Sequence, residues 1–567
     1  MARKSSKKIL AAIIIMAAVF ACRGTLQGAE RPHTIVVTDY PDIHAAVAAA
    51  RKLGVGRIYV PAGVYYLDRT LDLTGLSYNP IRKTETGEDT FVAKSDPVIF
   101  EGAGQRTVLV ARTDDKPAID LTGSHPFMIL RDFVLNTPYD EKKREWQKGA
   151  NVGILLARMG EAGKPEDPPT GNPASSGNHS FYNIKIRGGF SVACVYSWNS
   201  EVNSFFHCQF SNAIGDGFIY TGVLPMNREG VRSAYRRMGA STNVHTCFYQ
   251  CQFDGGPDSS GLRISQGGDV SLIGGYMSHC GFASLYLDGS NCVKNVSVRD
   301  VRFESSRSRH CIYAVGAVRD IILDGGDWFC SEEVIKHVER VPNTDGPHKY
   351  VHMPQQSGRA FNWQIRGIRM GRSFEEDPAL TIEKQEALKE DYALMRFDAL
   401  QDSCIENINY YMRGHKPGEA QFSGGVVTDR PAIIIEKYAR RNTFVVPSRE
   451  AVLFRGDTRN NEIIALAEGA GGEKVPALWR SSLAEIPGRP GFTRYYDDGI
   501  RRTYINADGG SLLNLGVQNV FEIPGAKAGD VALHDGSGFK DRMPRLAIYS
   551  GEKWIFFSIE RQTPSGR

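Results

Sequence analysis

The chain has 567 residues, 41% of them hydrophobic and 23% charged, a globular balance that excludes wholesale disorder. Its 59 glycines follow no three-residue period, which excludes collagen, and together with 10% aromatics they suit a turn-rich β protein. The net charge of +4 equals that of Arg3, Lys4, Lys7 and Lys8; the rest of the chain is neutral, so charge gives no reason to expect a nucleic-acid partner.

The N-terminus places those four cations before an apolar run, Ile9 to Ala21. The run is too short to span a bilayer and ends in small residues, as an export signal does. Residues 1–29 are read as that signal, and the protein is expected in the periplasm, at the cell surface or outside the cell. Val19-Phe20-Ala21-Cys22 resembles a lipobox, which puts an outer-membrane lipid anchor on Cys22; ordinary cleavage near Ala29 is the other reading. Nine further cysteines, an odd number, cannot all pair internally. They are read as small core residues, with Cys208 stacked over Cys251.

The mature chain opens on Tyr40 to Ala50 (YPDIHAAVAAA), Gly56 to Tyr65 (GRIYVPAGVY) and Val98 to Leu109 (VIFEGAGQRTVL). An Ala-rich amphipathic segment is followed by two strand-like segments, the second with a Gly-x-Gly turn. Residues 136–180 are charged or rich in Pro and Gly and read as inserted loops. Then comes a degenerate repeat: Ala193–Ser197, Gly217–Thr221, Gly261–Ser265, Ser284–Asp288 and Cys311–Val315, starting 24, 44, 23 and 27 residues apart. The 44-residue step is either two turns or one turn with a long loop around Asn227–Arg237. A second column runs through Phe206–Phe210, Tyr249–Phe253, Arg299–Phe303 and Leu323–Trp328. Each segment alternates apolar with polar residues and ends in Gly, Asn, Asp or Ser, which is strand-and-turn chemistry.

A period of 23–27 residues with short strands marks a solenoid, whose coils bury apolar faces only by stacking. Val195, Leu262, Leu285 and Ile312 are expected inside. Tyr196, Ile219, Arg263, Tyr286 and Tyr313 are expected in one outward column.

With these repeats, the YPDIHAAVAAA, GRIYVPAGVY and VIFEGAGQRTVL segments resemble the exported pectate-lyase superfamily over roughly residues 34–335. The resemblance implies an all-β, right-handed, single-stranded parallel β-helix. It also implies an N-terminal capping helix over residues 43–50, which shields the open end of the solenoid. The β-helix is expected over 34–465, with insertions near 136–180 and 335–400, the latter holding a helical stretch from Pro378 to Met395. A small β-rich C-terminal unit is expected over 466–567, with antiparallel strands around Asp-Gly and Ser-Gly turns.

That superfamily carries lyases, hydrolases, epimerases and tailspikes, so the fold leaves the reaction open. No Walker loop, G-x-S-x-G or HExxH motif is present, nor the polygalacturonase pattern, nor the calcium cluster of pectate lyases. The expected activity is cleavage of a polysaccharide or oligosaccharide in a groove beside the first strand column. Hydrolysis is favoured slightly, with Asp216, Asp288 and Glu304 as carboxyl groups and His310 beside them. Carboxylates one or two coils apart meet the spacing glycoside hydrolysis needs. Arg263, Tyr286 and Tyr313 are the expected sugar contacts. Elimination on a uronate, with Arg263, Tyr286, His310 or Tyr313 serving it, and non-catalytic glycan binding or adhesion are the rivals. No metal or cofactor is expected, calcium entering only with elimination. The plainer readings are that Asp216 and Asp288 are turn residues beside glycine, and that Glu304 and His310 are structural.

Overall fold

The structure, a computed structural model, describes residues 34–73, 97–122, 128–157, 177–198, 202–221, 245–304, 308–340, 358–372, 393–412, 431–447 and 451–468, with isolated positions and short strands outside these ranges. The export signal, Cys22, the Asn227–Arg237 stretch and most of the predicted helix before Met395 lie outside the described residues. No described helix is long and apolar enough to cross a membrane.

Three parallel ladders run the length of the coil. The first stacks Ile35, Ile58, Phe100, Leu130, Phe181, Phe205, Phe248, Leu272, Val298, Leu323, Ile365, Ile405, Phe444 and Ile463 in register. The second stacks Tyr65, Leu109, Leu135, Ile186, Phe210, Phe253, Met277, Phe303, Trp328, Met370 and Tyr410. The third stacks Leu71, Ile119, Ile154, Val195, Phe218, Leu262, Leu285, Ile312, Ile335, Met395, Ile433 and Val452. The fold is therefore a parallel β-helix, and Val195, Leu262, Leu285 and Ile312 are fully buried.

The bend from the first ladder to the second is made by one residue in the left-handed region. Asp132, Asn183, His207, Gln250, Asp300 and Asn407 hold it with φ between 49° and 60°. Gly274, Gly325 and Gly367 take the same place elsewhere. Side chains tolerate this conformation poorly, and Asn and Asp tolerate it best, which explains the polar end of each repeat. The second column read from the sequence is thus two ladders joined across this bend.

Phe218 pairs directly with Leu262, so the 44-residue step is one turn carrying a long insert. Two expected insertions hold rungs of their own. Lys148–Ala157 joins the third ladder inside 136–180, and Ile335–Val338, Ala360–Arg366, Arg369–Arg372 and Met395–Gln401 are rungs inside 335–400. Long stretches between these strands hide the period, although the strands alternate as the others do.

At the N-terminal end the helix Ile43–Leu53 starts at Asp42, whose carboxylate accepts from the Ala45 N–H at 2.7 Å, and stops at left-handed Gly54. Its Ile43, Ala46, Val47 and Ala50 face packs on the first coil. Further along the first ladder, buried Glu101 is gripped by Arg57 and Arg131 from the rungs below and above, at 2.7 and 2.8 Å. Burial works against its charge, but the two guanidiniums outweigh that and hold its carboxyl below the ordinary value. After Glu462–Glu468 the pairing turns antiparallel through Lys474–Ser481, Phe492–Asp497 and Arg502–Asn506. A separate four-stranded sheet holds Val517–Gln518, Val531–His534, Arg545–Tyr549 and Trp554–Ser558. The nine described cysteines are free thiols, and Cys208 and Cys251 sit on adjacent rungs, the Gln252 N–H donating to the Cys208 carbonyl at 2.8 Å.

Candidate functional site

On the outer face of the third ladder one register line runs Leu155, Tyr196, Ile219, Arg263, Tyr286, Tyr313, Lys336, Arg396. The expected column therefore exists, but its two ends differ. Tyr196 and Ile219 are buried in an outer apolar cluster with Trp198, Ala193, Val152 and Ala157. From Arg263 onward the side chains are partly exposed, Arg263 more than Lys336 and Arg396, and form a ledge.

Arg263 is committed within the ledge. Its guanidinium meets the Asp288 carboxylate at 2.9 Å and the Ser265 hydroxyl at 3.1 Å, and lies 5.1 Å from the Tyr286 ring centroid. Burial disfavours its charge, but the hydrogen bond and charge of Asp288, then the charges of Asp216 and Tyr286, raise its pKa overall. Phe282 arrives from the turn between the second and third ladders and packs edge-on against Tyr286 and Tyr313, at 5.5 and 4.7 Å. Burial, then the Asp288 charge, pushes the Tyr286 phenol up to about 12.

The predicted carboxyl groups do not converge. Asp216 is in register with Ala193, whereas Asp288 aligns with Ser265 and Thr221. That is five residues along the strand, about 16 Å, in addition to the two rungs between them. Asp216 begins its strand and accepts from the Ser260 N–H at 2.6 Å. Burial raises its pKa, opposed by that bond and by Arg263. Glu304 lies on the second ladder, in register with Phe329, and meets Arg302 at 2.6 Å and the Tyr276 hydroxyl at 3.4 Å. It is not on the ledge, because its strand, Arg302–Glu304, is a rung of the second ladder, whereas the ledge lies on the third.

His310 heads the rung that carries Tyr313, but its ring is buried. Its Nδ1 is 3.0 Å from the Glu333 carbonyl, its Nε2 is 3.5 Å from the Glu332 carboxylate, and the Tyr313 ring is 5.1 Å away. Burial lowers its pKa against the pull of Glu333 and Glu332.

Glu332 and Glu333 are the residues the sequence reading missed. They occupy a corner rather than a strand, so no alternation marks them. One oxygen of each and one His310 nitrogen lie within 4.8 Å of one another. Glu333 is also met by Lys336 at 3.5 Å and Arg396 at 3.2 Å. One imidazole and two carboxylates, one of them already paired with cations, make a mixed nitrogen and oxygen set rather than the all-oxygen set that calcium prefers. The rungs beyond continue the charged network, with Arg396 and Arg455 on Glu436 and Lys437 on Asp398.

Another aromatic column lies on the first ladder, where Tyr182, Phe206 and Tyr249 stack face to face at 4.8 and 4.9 Å. Those rings spend their faces on one another. Tyr286 and Tyr313 are inclined by 61°, which leaves ring surface for a ligand.

No protein-family model matches the sequence, and no curated protein matches it. Among solved structures, the chain is similar to the Streptococcus pneumoniae surface adhesin PfbA, with 10% identity, a TM-score of 0.41, and coverage of 82% of this chain and 99% of that one. It is similar to the enzymatically active domain of bacteriophage CBA120 tailspike protein 2, with 11% identity, a TM-score of 0.38, and coverage of 80% and 56%. It is also similar to the A-module of the Azotobacter vinelandii mannuronan C-5 epimerase AlgE6, with 12% identity, a TM-score of 0.31, and coverage of 75% and 98%. Similarity at this level says nothing about activity.

Proposed function

We propose that this chain is an exported carbohydrate-active protein that binds a glycan along Arg263, Tyr286 and Tyr313 and hydrolyses it beside Glu332 and Glu333. The observation that carries this reading is the register of the outward column, which sets two inclined tyrosines on consecutive rungs, the second beneath Lys336, three residues along the chain from Glu333. Coils repeat at about 4.8 Å, close to the length of one sugar unit, so a chain lying across the rungs meets one ring per rung. Retaining glycosidases hold their two carboxyl groups about 5–5.5 Å apart, and one oxygen of Glu332 lies within 4.8 Å of one of Glu333, close enough for the two to act on one bond. Glu333 is assigned the nucleophile's role and the more exposed Glu332 the proton donor's.

Elimination is less well supported. Tyr286, pushed up to about 12, stays protonated near neutral pH, and Arg263 is engaged by Asp288 rather than open to a uronate. Pure binding is the second reading, favoured by the separation of Asp216 from Asp288.

The test is a panel of plant, algal and host glycans, assayed for both reducing ends and unsaturated products. Reducing ends without unsaturation are expected. Glu332→Gln and Glu333→Gln should each lower turnover about 10²–10⁴-fold, with sugar affinity changed less than about threefold. Unsaturated product points to elimination. Binding with no product from any glycan leaves the adhesion reading.

A further inference from the structure

We propose a second ligand site, on the outer face of the second ladder, that takes a sugar unit carrying an anionic group. Tyr66, Val110, Asn136 and Arg187 lie on consecutive rungs of one outward register line. Beside them stands a small antiparallel hairpin that pairs Tyr139 with Trp146. Between line and hairpin is a cavity of about 440 Å³, the size of one or two sugar rings.

Its walls are aromatic and cationic. Tyr66 is 50% exposed and Tyr139 46%, large values for rings in so ordered a part of the coil. The Arg112 guanidinium lies 3.9 Å from the Tyr66 ring centroid, and that of Arg187 lies 5.6 Å from Trp146. Arg187 Nε donates to the Asn136 side-chain oxygen at 3.2 Å, which fixes its direction. No lining residue is acidic. Among the described residues neither guanidinium has a carboxylate partner, whereas Arg57, Arg131, Arg263, Arg366 and Arg441 each grip one. Two arginines aimed at one aromatic-walled cavity without an acid are arranged to receive a planar or tetrahedral anion, and the rings to stack on the sugar's C–H face.

The site is also rigid. A Cβ on Gly188 would come within 2.3 Å of the Thr137 hydroxyl, and one on Gly149 within 2.6 Å of Pro138 Cδ. The Thr137 hydroxyl accepts from the Gly189 N–H at 2.7 Å, which ties the start of the hairpin to the next rung, and the Gln147 N–H donates to the Pro138 carbonyl at 2.8 Å, which closes the hairpin's base. The cavity does not involve the ledge on the third ladder. The choice of a sugar over another anion rests on the glycan reading of that ledge, while the cavity itself is independent of it.

The test uses full-length protein grown with 5-fluorotryptophan, the Trp146 fluorine resonance being identified by its loss in Trp146→Phe. Trigalacturonate, a sulfated trisaccharide, neutral maltotriose and inorganic sulfate are titrated separately at low salt. The Trp146 resonance is expected to shift with one or both acidic sugars and not with maltotriose; the sugar that shifts it identifies the anion. Arg187→Gln should weaken that titration about tenfold or more. The proposal is overturned if neither acidic sugar moves the resonance, if maltotriose or inorganic sulfate moves it as strongly, or if Arg187→Gln titrates like the parent. Because the reporter sits in this cavity, its response is read whether or not the ledge proves to bind glycan.

Discussion

Phe205→Ala is expected to lower stability by about 3–5 kcal/mol, the upper range for removing a buried aromatic. Phe205 is 1% exposed and stacks on Phe181 at 4.4 Å and Phe248 at 5.0 Å, one rung below and one above. The edges of Phe210 and Phe218 close its sides. In a solenoid each coil is stabilised by its two neighbours, so a hole at one rung weakens two interfaces at once. Urea unfolding measures the loss as a lower midpoint. Phe206→Ala, one residue on but facing outward between Tyr182 and Tyr249, should cost only about 1 kcal/mol. Equal losses for the two variants would mean that the inward and outward faces have been assigned wrongly.

Gly281→Ala should be more damaging still, although it adds a single methyl group. A Cβ at this position would lie 1.4 Å from the Pro257 carbonyl oxygen and 2.1 Å from its carbon, with no flexible side chain to give way. The corner has to lift away from the rung below, which breaks the bonds from the Gly281 N–H to Gly256 and from the Phe282 N–H to Ser259, both 3.1 Å. Phe282 then leaves Tyr286 and Tyr313, so glycan affinity falls together with stability. The expected cost exceeds about 4 kcal/mol, within the class reserved for severe steric conflict. Gly104→Ala is the control. It has open space around it and only a left-handed φ of 71° to oppose, worth about 1–2 kcal/mol. Thermal unfolding of the two variants side by side separates crowding from backbone preference.

The parts of this molecule that could be read from its sequence are those where one physical rule acts alone. The interior ladder through Val195, Leu262, Leu285 and Ile312 was readable because burial by stacking demands alternation, and alternation leaves a pattern. The ledge was readable for the same reason, since the residue after each buried position faces out. Its closed end was not, because alternation says which way Tyr196 and Ile219 point and nothing about what covers them. Asp216, Asp288 and Glu304 do not meet in one place. Glu304 follows the Arg299–Phe303 segment of the second column and lies on the second ladder, so it does not share the third-ladder face with Asp288. Asp216 and Asp288 are two coils apart, but alternation does not say where along a strand each lies, and they differ by five residues. Glu332 and Glu333 lie in a corner, where sequence carries no period, and the aromatic cavity forms only when the 139–146 hairpin folds back beside Asn136 and Arg187.

The ledge itself is tested most directly by calorimetric titration of the best-binding oligosaccharide of the glycan panel against three proteins: the parent, Tyr286→Ala/Tyr313→Ala, and Tyr182→Ala. Two lost stacking contacts predict affinity about 10–100-fold weaker in the double variant, with Tyr182→Ala binding like the parent. If the double variant binds like the parent while Tyr182→Ala does not, the glycan lies on the first ladder and the third-ladder ledge is not its site.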